Sequence, residues 1–288
     1  MGKLGVHDGT FHADEVTACA LLVLFGKVEQ DSIVRTRDLK TLSTCEYVCD
    51  VGGVFDPDQK RFDHHQSDYS GSLSSAGMVL NFLHDAQDLD TSLYHFLKNH
   101  LIDGVDAIDN GVYTPPKGLC TFSTVISEFI PIDHEASKED QDAGFFEALD
   151  FAKRHIQHMI DRCAYIQNAR GLVEEEMKKN GVVLYFNRSI PWLDAFFELG
   201  GENHPAQFII MPSGHHWKLR GIPPSYDRRM AVRVPLPLKW AGLLTEELKN
   251  VSGISGAIFC HKGRFISIWE TREDALKALE VALGKDNL

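Results

Sequence analysis
The chain has 288 residues, 43% of them hydrophobic and 24% charged, with a formal net charge of −12. This is enough apolar material for one large or two ordinary soluble domains, and no apolar run reaches the length that spans a bilayer. The acidic balance disfavours nucleic acid over the surface as a whole, so a polyanionic substrate would need a local basic patch or bound cations. The six cysteines lack the two-residue spacing of redox or zinc motifs. No signal-like leader precedes the first apolar run, so the expected location is the cytoplasm, with no membrane association.

The opening stretch predicts strand, loop, helix. Leu4 and Val6 end at His7, Gly9 lets the chain turn, and His12, Asp14 and Glu15 arrive where an apolar helix begins. Ligands in open α/β sheets sit at the carboxyl ends of strands, so His7, His12 and Asp14 are candidates to share a metal. The alternative is that Asp14 only caps the helix and the histidines are surface polar. From Glu15 to Phe25 nearly every residue is apolar, as in a buried helix, with Gly26 to end it.

Ser32 to Arg37 reads as a strand and Leu39 to Cys45 as a short helix. Tyr47-Val48-Cys49 then ends in Asp50, followed by Gly52 and Gly53, which let the backbone approach an ion or phosphate. Asp63-His64-His65 follows another short apolar piece. Imidazole is the commonest metal ligand, and a neighbouring carboxylate can fix its tautomer. Ser74 or Ser75 caps the next helix, and a serine-rich helix start can also hold phosphate. A helical period over Leu93 to Ile108 ends in Asp106-Ala107-Ile108-Asp109-Asn110-Gly111. Its two aspartates share a face, and either could join the cluster.

Phe122 to Phe129 and Ser137 to about Lys179 read as helices, and the domain change is expected inside or just after the second. Beyond it come strand candidates at Val182–Phe186, Gln207–Met211, Trp217–Arg220, Met230–Val234, Ala257–Cys260 and Phe265–Trp269. Helices are expected at 192–199, 243–251 and 272–283. Between Ser213 and Trp240 stand Lys218, Arg220, Arg228, Arg229, Arg233 and Lys239 against one acid, Asp227. This is either a solvated loop or a phosphate-contacting surface, with Trp217 and Tyr226 available to stack bases.

The collected residues His7, His12, Asp14, Asp50, His64 and Asp109 mix imidazole and carboxylate without thiolate. Such a set suits Mn2+, Mg2+ or iron better than structural zinc. Six ligands exceed the need of one ion, so a pair bridged by Asp50 is expected, the usual device for phosphate-ester hydrolysis.

The order of motifs resembles the DHH phosphoesterase superfamily and, more closely, the melanocyte proliferating gene (MYG) exonuclease family. The matching stretches are His7 to Glu15, Arg35-Thr-Arg-Asp38, Asp50 to Pro57, Phe62-Asp-His-His-Gln66, Leu73 to Gly77, Val105 to Gly111, Pro235-Leu-Pro and Ser252 to His261. The resemblance implies an α/β fold. A DHH-type catalytic domain over residues 1–165 would have a parallel sheet with helices on both faces. A linker helix and smaller α/β substrate-binding domain would follow over 166–288. It implies two divalent ions, Mn2+ foremost and Mg2+ second, on His7, His12, Asp14, Asp50, His64 and Asp109. In the superfamily the His12 position is usually an aspartate. Catalytic roles fall to His65, Asp63 and Asp50, with His65 facing the substrate phosphate. Ser75, Arg220, Arg233 and His261 are the substrate-contact candidates. The implied activity is 3′–5′ exonuclease hydrolysis of RNA or a short oligonucleotide, and a homo-oligomer is compatible with it. The rival readings are a small-substrate phosphoesterase, acting on pyrophosphate or a cyclic dinucleotide, and a metal-stabilised binding module without turnover.

Overall fold
The computed structural model of the protein describes residues 2–133 and 135–284. These form two compact units, one ending at Cys163 and the other starting at Ala164, each built on a five-stranded sheet.

In the first unit, β1 (Leu4–Val6) is flanked by β2 (Ile33–Arg35) and β3 (Tyr47–Cys49), both parallel to it. The helices α1 (Ala13–Leu24) and α2 (Leu39–Leu42) make the crossovers. Beyond β3 lie β4 (Phe55–Asp56) and β5 (Arg61–Phe62), in the sheet order β2-β1-β3-β5-β4. The expected parallel sheet runs from β2 to β5, and one edge strand makes it mixed, because β4 runs antiparallel to β5. The cause is local: Pro57 to Lys60 closes a tight turn, and strands joined by so short a link can only pair antiparallel. The chain leaves β1 to one side for β2 and returns to the other for β3. Such a reversal opens a crevice at the carboxyl ends of β1 and β3.

Both faces of this sheet are covered. Leu4, Val6, Tyr47 and Cys49 join the main core with α1 and with α3 (Ser75–Asp85). Val48 points the other way, into a small cluster with Leu42 of α2 and Cys45. α1 is buried from Ala13 to Leu22; each large side chain removed from water there contributes roughly 1.5–3 kcal/mol. The period read over 93–108 is not one regular helix. α4 (Thr91–Leu97) passes through a π turn at Lys98–Ile102 into α5 (Asp103–Asp109). A π turn adds one residue, which rotates the faces of the next helix by about 100°. The short α6 (Phe122–Ser127) and the long α7 (Lys138–Lys178) complete the set.

In the second unit β6 (Val183–Tyr185) pairs parallel with β7 (Phe208–Ser213). β8 (His216–Gly221), β9 (Ala257–Cys260) and β10 (Ile266–Trp269) continue the sheet antiparallel, in the order β6-β7-β8-β10-β9. One face packs Leu219, Trp240 and Trp269 with α9 (Thr245–Ser252) and α10 (Arg272–Ala282). On the other, Leu184, Ile209 and Met211 meet Val173 of α7 and Phe196 of α8 (Trp192–Glu198). The strand expected at Met230–Val234 is absent. That segment is irregular: its backbone bonds run from Ala231 N–H to the Arg228 carbonyl, a turn, and from Arg233 N–H to the Ile222 carbonyl, with no continuous ladder.

Candidate metal centre and cleft
Each group of candidate ligands hangs from an element end. His7 follows β1, Asp50 follows β3, and Asp63, His64 and His65 follow β5. The β1–α1 loop and first helical turn supply His12, Asp14 and Glu15, and the end of α5 supplies Asp109. Asp50 adopts φ 54°, a left-handed conformation that aspartate tolerates better than most residues. Gly52 and Gly53, at φ 98° and 69°, complete a turn that side chains would strain.

Both buried imidazoles are oriented through one nitrogen. His7 donates from Nδ1 to the Asp8 carbonyl at 3.0 Å, leaving Nε2 3.1 Å from Glu15 Oε1 and 3.2 Å from Asp50 Oδ2. His64 Nδ1 lies 3.1 Å from Asn110 Oδ1. Its Nε2 is 3.1 Å from Asp109, 3.3 Å from Asp50 and 3.9 Å from Asp14, yet makes no hydrogen bond of good geometry to any of them. A ring nitrogen and three carboxylates that crowd together without bonding are aimed at a common centre.

Asp14 is the sharpest case. It is 0% exposed, and neither carboxylate oxygen has a hydrogen-bond partner among the described residues. An ionised carboxylate so placed is costly unless a cation neutralises it. Burial first, and then the charges of Asp50, Glu15 and Asp109, push its pKa well up. For His7, burial acts downward, but the carboxylates of Asp50 and Glu15 outweigh it and raise the pKa to about 10. The carboxylates of Asp109 and Asp50 raise His64 to about 10 as well, against a smaller effect of burial. Burial acts upward on Asp50, but His64 and His7 hold it below the usual carboxylate range.

Among the described residues, three sets of donors each fall within 4.8 Å of one another: His7, His12, Glu15 and Asp50; Asp50, His64 and His65; and His12, Asp14 and Asp109. Asp50 belongs to two sets and His12 to two. The donor chemistry and the orphaned Asp14 oxygens fit divalent cations. Glu15 is the residue the sequence reading left out of the ligand set. It is fully buried, caps α1 by accepting from the His12 N–H at 2.9 and 3.0 Å, and faces His7. A lone glutamate entering an otherwise apolar helix was the available signal.

The cluster opens into a cleft of about 740 Å³ lined by His7, His12, Asp50, Gly52, Asp63 and His65 among others, with Arg37 the only Lys or Arg among the described residues that line it. Asp63 acts from behind: its Oδ2 accepts from Gly53 N–H at 2.6 Å and its Oδ1 from the His65 ring at 2.8 Å. His65 itself is 63% exposed. Arg37 Nε lies 3.6 Å from Asp8 Oδ1; only its place in a matching motif marked it in sequence.

Other candidates sit differently from expectation. Ser75 is fully buried and donates to the Phe62 carbonyl at 2.8 Å, with Asp50 Oδ1 at 3.4 Å; it supports the site from below and cannot reach a substrate. Asp106 accepts from Ser74 N–H, Ser74 Oγ and Gly77 N–H. It caps α3 and leaves Asp109 to face the cluster. Arg233 spends its donors on the carbonyls of His204, Ala206, Gly201 and Pro223, so it is a clamp and not a free phosphate contact. Arg220 remains available, its guanidinium 5.7 Å from the Phe265 ring centre. His261 Nδ1 accepts from Gly263 N–H at 2.9 Å. Trp217 packs on the core, and the Arg229 guanidinium lies over the Tyr226 ring at 4.1 Å.

Residues 3–283 match the family model for MYG1 exonucleases, described as "Uncharacterised protein family (UPF0160)". The chain belongs to the MYG1 exonuclease family. Among its relatives, the MYG1 protein of Chlamydia pneumoniae is 51% identical over 281 residues, covering 98% of this chain and 96% of that one. The MYG1 exonuclease of Homo sapiens is 33% identical over 328 residues, covering 98% and 86%. A solved structure, that of RecJ from Thermus thermophilus in complex with Mn2+, aligns at a TM-score of 0.31 and 10% identity. It covers 98% of this chain, which spans about half of that one (52%). No described helix of this MYG1-family chain is long and apolar enough to cross a membrane.

Proposed function
We infer that the chain is a divalent-metal phosphodiesterase, a 3′–5′ exonuclease that trims RNA. Its residues 1–165 would be catalytic and 166–288 a linker helix with a substrate-binding domain. The observation that carries this reading is the convergence of His7, Asp14, Asp50, His64 and Asp109, with both Asp14 oxygens buried and unpartnered. The name of the relatives, MYG1 exonuclease, supports hydrolysis of nucleic-acid phosphodiesters. Two ions, Mn2+ foremost and Mg2+ second, would be held by His7, His12, Asp14, Asp50, His64 and Asp109, with Glu15 beside His7. When bound, such ions neutralise charge on phosphoryl oxygens and acidify water at neutral pH.

The chain's own residues do the rest. Asp50, common to two donor sets, would serve both of them. Asp63 orients His65 at the cleft wall, where its ring meets a phosphate oxygen. Arg37 offers the cleft's cation to the same group. Arg220 and His261 are this reading's substrate contacts on the second unit's own surface.

The test is RNA labelled at its 5′ end, incubated with protein and Mn2+. Stepwise shortening with release of mononucleotides, abolished by excess chelator and by Asp50→Ala, is expected; full activity in chelator contradicts the reading. The cleft's modest size favours a second reading, a small-substrate phosphoesterase acting on a cyclic dinucleotide or pyrophosphate. A substrate panel run with one protein sample separates the two.

A further inference from the structure
On the second unit's sheet, cross-strand partners share a face. Lys218 pairs with Ile268 and Ile268 with Phe259, while Arg220 pairs with Ile266. The alternate register, Leu219 with Ser267 and Ser267 with Cys260, points into the core beneath α9 and α10. On the face of Lys218 and Arg220, β7 is covered: Met211 and Ile209, their partners there, lie in the core with α8. That cover stops at β8. Phe259, Phe265, Ile266 and Ile268 are all partly exposed and belong to none of the hydrophobic cores among the described residues.

This open face has an ordered composition. The His261 ring lies 4.3 Å from Phe265 and 6.2 Å from Phe259, and the Arg220 guanidinium lies over Phe265. The result is a row of rings ending in a cation. Arg220 Nε–H is buried without an acceptor among the described residues. Burial lowers the pKa of Lys218 and Arg220, and the charges acting on them, Arg220 and Arg229 respectively, are also cationic. Uncompensated positive charge is conspicuous in a chain of net charge −12.

We propose that the open face of β8, β10 and β9 is a docking strip for single-stranded nucleic acid, with bases stacking on Phe259 and Phe265 and phosphates pairing with Lys218 and Arg220. It rests on the reading that the substrate is a polymer. Every base has a π face, so rings flanked by cations bind a single strand without choosing its sequence. A second copy is a poorer occupant, because a two-fold contact sets the same patch against itself and would bring cation against cation.

Anisotropy of a 5′-fluorescein decauridylate, titrated with the full chain in excess chelator, tests this. Phe259→Ala and Phe265→Ala are each expected to weaken binding about 5- to 20-fold, whereas Phe259→Tyr, which keeps the ring, binds as wild type. Lys218→Gln and Arg220→Gln should each flatten the dependence of log affinity on log salt by about 0.7. No binding by wild type, or unchanged affinity and salt slope in all four Ala and Gln variants, overturns the proposal. So does a wild-type dimer in sedimentation that Phe259→Ala splits without altering decauridylate binding. Binding is read without metal and cleavage is read on the wild-type protein with Mn2+, so a failure of the strip and a failure of the exonuclease reading are told apart.

Discussion
Asn110 holds His64 by the nitrogen that faces away from the carboxylates: Nδ1 and Asn110 Oδ1 are 3.1 Å apart, and Nε2 is left to Asp50 and Asp109. Partners of this kind fix the tautomer that can ligate, and their loss typically costs 10- to 100-fold in metal affinity. Asn110→Ala should therefore raise the Mn2+ concentration for half-maximal stabilisation by about that factor. A thermal-shift titration checks it; an unchanged midpoint would show that His64 is oriented by something else.

Asp14 should behave unlike an ordinary core residue. As a buried carboxylate without partners among the described residues, it destabilises the metal-free protein. Asp14→Asn should raise metal-free stability by about 1–3 kcal/mol, a gain of roughly 2–4 °C per kcal/mol for a domain of this size. The same variant should lose most of the stabilisation that Mn2+ gives the wild type. Calorimetric scans with and without Mn2+ read both effects.

The histidines set the pH dependence. With folded values of about 10 for His7 and His64 and about 6.5 for the unfolded chain, their contribution is complete below pH 6.5. It is lost as pH rises through about 10. Asp14, also raised, acts in the same direction, and Asp50, which is lowered, matters only at acid pH. Metal-free stability should thus fall between roughly pH 6.5 and 10. Mn2+ affinity should rise over the same interval, because ligation displaces the protons. Melting temperatures in chelator across this range, and Mn2+ titrations alongside, would show the opposing trends; parallel trends would contradict the assignment.

The two aspartates of α5 should separate cleanly. Asp106 accepts from Ser74 and Gly77, so Asp106→Ala strands buried donors at about 1–3 kcal/mol. Gly77→Ala should be costly for the same reason, since a Cβ there collides with the Asp106 carboxylate. Asp109→Ala should weaken Mn2+ binding and, in chelator, lose part of the stability that protonated His64 contributes near neutral pH. A Mn2+ titration distinguishes them: Asp106→Ala keeps its Mn2+ affinity and Asp109→Ala does not.

How much of the fold and the site was legible in the letters depended on how locally each part was determined. Strand ends carrying His7, Asp50 and His64 announce themselves, because an apolar run that stops at a ligand-type residue has few other readings. The buried α1 was visible from its composition. Asp106 and Asp109 could not be told apart, since their difference depends on a π turn and on contacts with α3. Ser75 and Arg233 misled because a serine at a helix start and an arginine in a basic loop look the same whether they face solvent or are spent on carbonyls. Glu15 was visible but ambiguous, because a capping carboxylate and a ligand occupy the same helical position.

Side chains at the ends of β1, β3 and β5 and on α1 and α5 would surround a pair of divalent ions. Anomalous diffraction from crystals grown with Mn2+ tests it most directly. Two peaks a few Å apart, contacted by His7, Asp14, Asp50, His64 and Asp109 with Asp50 touching both, are the predicted result. A cleft with no anomalous density, or Mn2+ bound elsewhere with Asp14 still unpartnered, would contradict the account.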